Sequence, residues 1–105
     1  MSIYVTPTSS TLTLKDSKDE EVVIEILHEY GMSHALDVYK LDVSCSDSVK
    51  YNESCFNECF EKIAEYCNDG YIIFACYDFE DVELIKYIFE DGKVRERSVQ
   101  VKFNE

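Results

Sequence analysis

Residues 71–77 read Tyr71-Ile72-Ile73-Phe74-Ala75-Cys76-Tyr77, seven positions without a charge in a chain of which 30% is charged. A short continuous apolar run, rich in β-branched and aromatic side chains, is the pattern of a strand buried on both faces. Asp69-Gly70 opens it and Asp78-Phe79-Glu80-Asp81 closes it as a turn. This run is expected to be the central strand, with the other elements laid beside or on top of it.

Downstream, residues 82–89 and 94–103 flank Glu90-Asp91-Gly92-Lys93, and Asp-Gly between apolar arms is a strong hairpin signal. Ile85, Tyr87 and Phe89 share one face of the first arm; Val99, Val101 and Phe103 share one face of the second. Val94 is out of phase with Val99, which implies a bulge near Arg97-Ser98. Upstream, Asn52 is placed to cap a helix in which Phe56, Cys59, Phe60, Ile63 and Cys67 form the apolar stripe, with Glu58, Glu61 and Glu65 facing water. Asn68-Asp69-Gly70 ends that helix.

Further upstream, Leu36 to Cys45 alternates as a single strand with Tyr39, Leu41, Val43 and Cys45 on one face. Before it, Ser17-Lys18-Asp19-Glu20 fits a capping box, and Val22, Val23, Ile26, Leu27 and Tyr30 recur at helical spacing until Gly31 stops the helix. Glu21, Glu25 and Glu29 line its outer side. Ile3-Tyr4-Val5 and Thr11-Leu12-Thr13-Leu14 read as two short strands or one broken edge strand, interrupted by Pro7. The expectation is an α+β fold: an antiparallel sheet of four or five strands with two helices packed on one face, in the order β(β)αβαβββ, ending in a hairpin. Residues 1–105 form one domain, with a core of Val23, Leu27, Phe56, Phe60, Ile63, Ile73 and the apolar face of the hairpin.

Composition supports a folded domain: 46% apolar and 13% aromatic residues, with three Gly and one Pro, lie far from a disordered tail. Twenty-two acids against ten bases give a formal charge of −12, which repels nucleic acid and anionic lipid and attracts basic protein surfaces. Met1-Ser2-Ile3-Tyr4-Val5 lacks the basic start and long apolar run of a signal peptide, and no apolar run spans a bilayer, so a cytoplasmic location is expected. There the five cysteines, Cys45, Cys55, Cys59, Cys67 and Cys76, are expected as thiols, mostly buried. The sequon Asn52-Glu53-Ser54 then has no role.

Each arrangement that suggests chemistry has a plainer reading. Cys55 and Cys59 stand four apart with Cys67 beyond them, but zinc sites use shorter cysteine spacings with a second pair, and His28 and His34 match no ligand interval. No metal and no cofactor is expected. No activated-cysteine or nucleophile-elbow signature accompanies them, so no catalytic residue is assigned and the chain reads as a non-enzyme. Asp78, Glu80, Asp81 and Glu83 lack the Asp-x-Asp-x-Asp-Gly calcium loop and read as turn residues.

The distribution of charge is the more specific signal. Between Glu53 and Glu83 there are nine acids against Lys62 alone, whereas Lys93, Arg95, Arg97 and Lys102 collect on the last strand. Carboxylates repeated at i, i+4 without lysine partners cost a helix a few tenths of a kcal/mol per pair, so their retention points to use in binding. In size, charge and mixed α/β character the chain resembles the small acidic inhibitors among phage anti-CRISPR and antirestriction proteins, and the immunity proteins that neutralise nuclease toxins. Ser2-Ile3-Tyr4-Val5 and Tyr51-Asn52-Glu53 resemble the start of antirestriction DNA mimics. That likeness implies an inhibitor whose partner is a basic protein, a nuclease or other nucleic-acid-binding enzyme, with no direct contact to nucleic acid or membrane. The expected partner-binding residues are Glu21, Glu25, Glu29, Glu58, Glu61, Glu65, Asp78, Glu80 and Asp81. The alternative is an acidic adaptor or structural subunit docking through tyrosines, with Tyr4, Tyr51 and Tyr66 as surface candidates and Tyr39, Tyr77 and Tyr87 packed in or beside the sheet.

Overall fold

The computed structural model describes residues 3–78 and 81–102, with the backbone alone at 78, 81 and 100–102. Phe79, Glu80 and Phe103 lie outside the described residues. The strands are β1 (Tyr4–Ser10), β2 (Leu36–Tyr39), β3 (Asp42–Cys45), β4 (Val49–Lys50), β5 (Gly70–Asp78), β6 (Asp81–Glu90) and β7 (Lys93–Lys102); the helices are α1 (Glu20–Glu29) and α2 (Glu53–Ala64). Five strands form one antiparallel sheet in the order β4-β1-β5-β6-β7, and β2-β3 form a separate ribbon. The fold is α+β, and β5, the apolar run, is its middle strand.

Both helices cover one face of the sheet. On β5 that face presents Ile72 and Phe74, and on β6 Ile85, Tyr87 and Phe89, all buried against Phe56, Phe60 and Ile63 of α2 and Val23 and Leu27 of α1. Phe56, Phe60, Phe74 and Tyr87 form a ring cluster with centroids 4.6–6.2 Å apart, within the range where aromatic pairs add stability beyond area. The opposite face is open, which corrects the expectation that β5 is covered on both sides. Ile73 points to that side and is half-buried, so it is not a core residue; Ile72 and Phe74 occupy the core in its place.

The C-terminal hairpin turns on Asp91 and Gly92 at φ +53° and +75°, as a two-residue type I′ loop demands. Its register runs unbroken from Glu90↔Lys93 to Asp81↔Lys102, so the bulge expected near Arg97 is absent. The phase change has another cause. Val94 pairs with Phe89 on the covered face, and Val99 pairs with Leu84 on the open face, so the two valines serve opposite sides.

Several further expectations are revised. Leu36 to Cys45 is a hairpin, with Lys40 and Leu41 at φ +48° and +73° in the turn; without Gly or Asn there, the sequence carries no turn signal. Tyr39 beside that turn and Tyr77 at the far end of β5 are 68% and 69% exposed, whereas Tyr51 and Tyr66 are half-buried. Pro7 lies within β1, opposite Phe74. It is tolerated because β4 pairs only with Tyr4 and Val5, leaving an edge there, and the register shifts between Pro7 and Ser9. At the start of α1, Asp16 accepts from the Lys18 N–H at 3.0 Å and a 3-10 turn over Ser17–Asp19 precedes the α-helix, replacing the capping box. Val22 is exposed, not part of the buried stripe. Asn52 caps α2 as expected, accepting from the Cys55 N–H at 3.0 Å, and Gly31 ends α1 at φ +73°. Cys67 is buried beyond the end of α2, bridged to Leu14. A Cβ at Gly70 would stand 3.0 Å from the Thr11 carbonyl oxygen, so glycine lets the chain pass beneath the end of β1.

Candidate acidic surface

The two helices run antiparallel. At one end the Cys55 thiol donates to the Tyr30 carbonyl at 3.5 Å, and at the other the Lys15 N–H donates to the Tyr66 carbonyl at 2.9 Å. Val23 and Leu27 set the inner side of α1, so the i, i+4 row Glu21, Glu25, Glu29 faces outward and is exposed. On α2 the buried side is Phe56, Cys59, Phe60 and Ile63, and Glu58, Glu61 and Glu65 are exposed opposite it.

Antiparallel packing sets these rows side by side. Lys62 marks one junction: its ammonium lies 5.1 Å from the centre of the Tyr30 ring, and its proton is held more tightly, first by Tyr30 and then by Glu29 and Glu58. Tyr66 marks the other, its phenol raised first by a hydrogen bond with Glu65 and then by the charges of Glu65 and Asp19. Carboxylates 29 positions apart in sequence, Glu29 and Glu58, thus act on one ammonium. Among the described residues the ion pair within 4.0 Å is Lys18–Asp16, so neither row is neutralised. Glu80 lies outside the described residues, and Asp78 and Asp81 are placed only as a backbone pair at the end of the β5–β6 hairpin.

A second convergence has no local sequence signal. Glu96 stands opposite Tyr87, Glu83 lies four residues before Tyr87 on the same side of β6, and Glu53 opens α2 next to Tyr51. Burial raises the Glu96 carboxyl, followed by the charge of Glu53; the Ser98 hydroxyl, 3.5 Å away, opposes the shift, and Glu83 adds to it. The Tyr87 hydroxyl is buried without a hydrogen-bond partner; Tyr51 approaches it without reaching bonding geometry, and burial raises both phenols. The acidic surface therefore extends from the helices to the margin of β6 and β7. Among the described residues no group of three or more His, Cys, Asp or Glu side chains is arranged to hold a metal.

Cys59 and Cys67 are core, whereas Cys45, Cys55 and Cys76 are half-buried, so fewer of the thiols are buried than expected. Burial pushes the Cys59 and Cys67 thiols up to about 12, far from the thiolate needed for nucleophilic or metal chemistry. No protein-family model, curated protein or solved structure matches the chain. Among the described residues, no helix is long and apolar enough to cross a membrane.

Proposed function

We propose that this chain is a cytoplasmic binding protein, without catalysis of its own, that inhibits a basic nucleic-acid-handling protein by occupying its nucleic-acid groove. The observation that supports this reading is the antiparallel pairing of the two glutamate rows on one side of the sheet. Side chains within a row stand about 5–6 Å apart and packed helices about 8–10 Å apart, a separation between the about 6 Å minor and about 12 Å major groove widths of B-form DNA. Such an array competes with phosphates for the same lysines and arginines, and its field accelerates encounter. In this reading Glu21, Glu25, Glu29, Glu58, Glu61 and Glu65 carry binding, with Asp78, Glu80 and Asp81 extending the surface.

The test is capture at low salt, followed by affinity measurements with the purified captured protein. Affinity should fall steeply between about 50 and 500 mM salt, duplex DNA should displace the chain, and Glu61→Lys with Glu65→Lys should weaken binding at least about tenfold through slower association. Flat salt dependence with equal affinities would instead support an adaptor docking through exposed tyrosines such as Tyr39 and Tyr77.

A further inference from the structure

The open face of the sheet has the opposite electrostatic character from the helices. Register places Ile73, Lys86 and Arg97 in one row across β5, β6 and β7, with Ile88 and Arg95 in the next. Lys86 and Arg97 are direct cross-strand neighbours, a like-charge pairing that costs stability. Lys86 is turned over the Tyr71 ring, 4.3 Å from its centre, and among the described residues no carboxylate reaches Lys86, Arg95 or Arg97 within 4.0 Å. Beside Lys86 and Arg97 lies a depression of about 440 Å³ floored by Ile73, Leu84, Ile88 and Val99, with Arg95 in the neighbouring row.

The complementary surface belongs to the same molecule, on the other side of the sheet. Along α1 the exposed Glu21, Glu25 and Glu29 are flanked by Val22 and Ile24, apolar side chains 38% and 43% exposed. Val22 and Ile24 lie on opposite edges of that row; Ile24 shares one helix face with Glu21 and Glu25, and an apolar side chain beside carboxylates matches an apolar depression beside cations. Because the two surfaces back onto one sheet, one copy cannot satisfy both by itself. We propose that the open sheet face of one copy receives α1 of a second, head to tail, with Ile24 over the depression and Glu21 and Glu25, on the same helix face, against Lys86, Arg95 and Arg97. A heterologous contact of this kind extends into open chains unless rotation closes it. Sheet-to-sheet pairing of two open faces would bring like charges together and is disfavoured for that reason. The association stands independently of the inhibitor reading, but it occupies the α1 carboxylates, so self-association and partner binding exclude one another.

Sedimentation velocity of the purified chain tests the proposal without any partner. At low salt the native chain should form species that grow with concentration and dissociate at high salt. Arg95→Glu with Arg97→Glu should be monomeric, as should Glu21→Lys with Glu25→Lys, each losing at least about tenfold in association constant. An equimolar mixture of the neutral variants Arg95→Gln with Arg97→Gln and Glu21→Gln with Glu25→Gln should restore a one-to-one complex and nothing larger, since each retains one intact surface and the altered surfaces carry no complementary charge. Circular dichroism verifies the fold of each; if reversal disturbs it, Arg95→Gln with Arg97→Gln must weaken association in the same sense. A native chain monomeric into the millimolar range overturns the proposal, as does a closed dimer that survives loss of both arginines. Binding of a fluorescein-labelled oligothymidylate or of phosphatidylserine vesicles by a monomeric chain, abolished by Arg95→Glu with Arg97→Glu, would overturn it in favour of a polyanion. Partner affinity of the arginine variant at least equal to that of the native chain separates failure here from failure of the inhibitor reading.

Discussion

The two faces of the sheet are built from the same alternating strands and differ in almost every other respect. On the covered face Phe74 and Tyr87 cluster with Phe56 and Phe60, and Ile72, Phe74, Ile85, Tyr87 and Phe89 are fully buried, with Glu83 and Glu96 reaching its margin. The open face interleaves Ile73, Leu84, Ile88 and Val99 with Lys86, Arg95 and Arg97, and these four apolar residues are only partly shielded or exposed. The contrast separates two uses of apolar surface: one side is removed from water and holds the fold, the other remains accessible for contact.

The largest expected effect tests that division. Phe60→Ala removes a ring touching Phe56, Phe74, Tyr87 and Phe89 and should cost roughly 3–5 kcal/mol, a large part of the stability of an ordinary small domain. Ile73→Ala on the open face should cost about 1 kcal/mol in the dilute monomer, since much of its area is already in water. Equal costs in urea denaturation would mean that both faces are buried. Chemical accessibility gives a smaller but sharper comparison: Cys59 and Cys67, on the covered side with thiols near 12, should react with a thiol reagent at pH 8 only after denaturation. Reaction of either in the native state at the rate of a free thiol would contradict the core placement of the α2 stripe.

The smallest effect concerns the carboxylates at the margin between the faces. The folded Glu96 carboxyl is raised above its unfolded value, so the native state binds more protons within that window, and stability should fall as pH rises through it. Mild acidification from neutrality should raise the melting temperature. Glu96→Gln should flatten that rise and stabilise the neutral protein by about 0.5 kcal/mol or less, because the site is largely solvated. A melting temperature that drops steadily on the same acidification, in native protein and variant alike, would show that Glu96 does not carry this pH dependence.

Features set by a few adjacent residues were legible in the sequence. Asp91-Gly92 specifies a two-residue turn because both positions need positive φ, Asn52 caps α2 with its own side chain, Gly31 stops α1, and residues 71–77 form the middle strand because an uncharged β-branched run has nowhere else to go. Periodicity likewise placed the glutamates of α1 and α2 on the outer sides of their helices. Where several local solutions compete, tertiary packing decided. Lys40 and Leu41 accept left-handed conformations that neither residue favours because pairing of β2 with β3 holds them there, and Pro7 enters β1 because the pairing of β1 with β4 ends at Val5. Alternation along β7 distinguishes odd from even positions but cannot say which set meets the helices, so Val94 and Val99 look like a defect in the pattern until both sides of the sheet are in view. The juxtaposition of Glu29 with Glu58, and of Glu53 with Glu83 and Glu96, depends on how antiparallel helices and distant strands come together. Charge interactions across such separations leave no spacing in the chain, because they are set by the packing of its apolar core and not by neighbours in sequence.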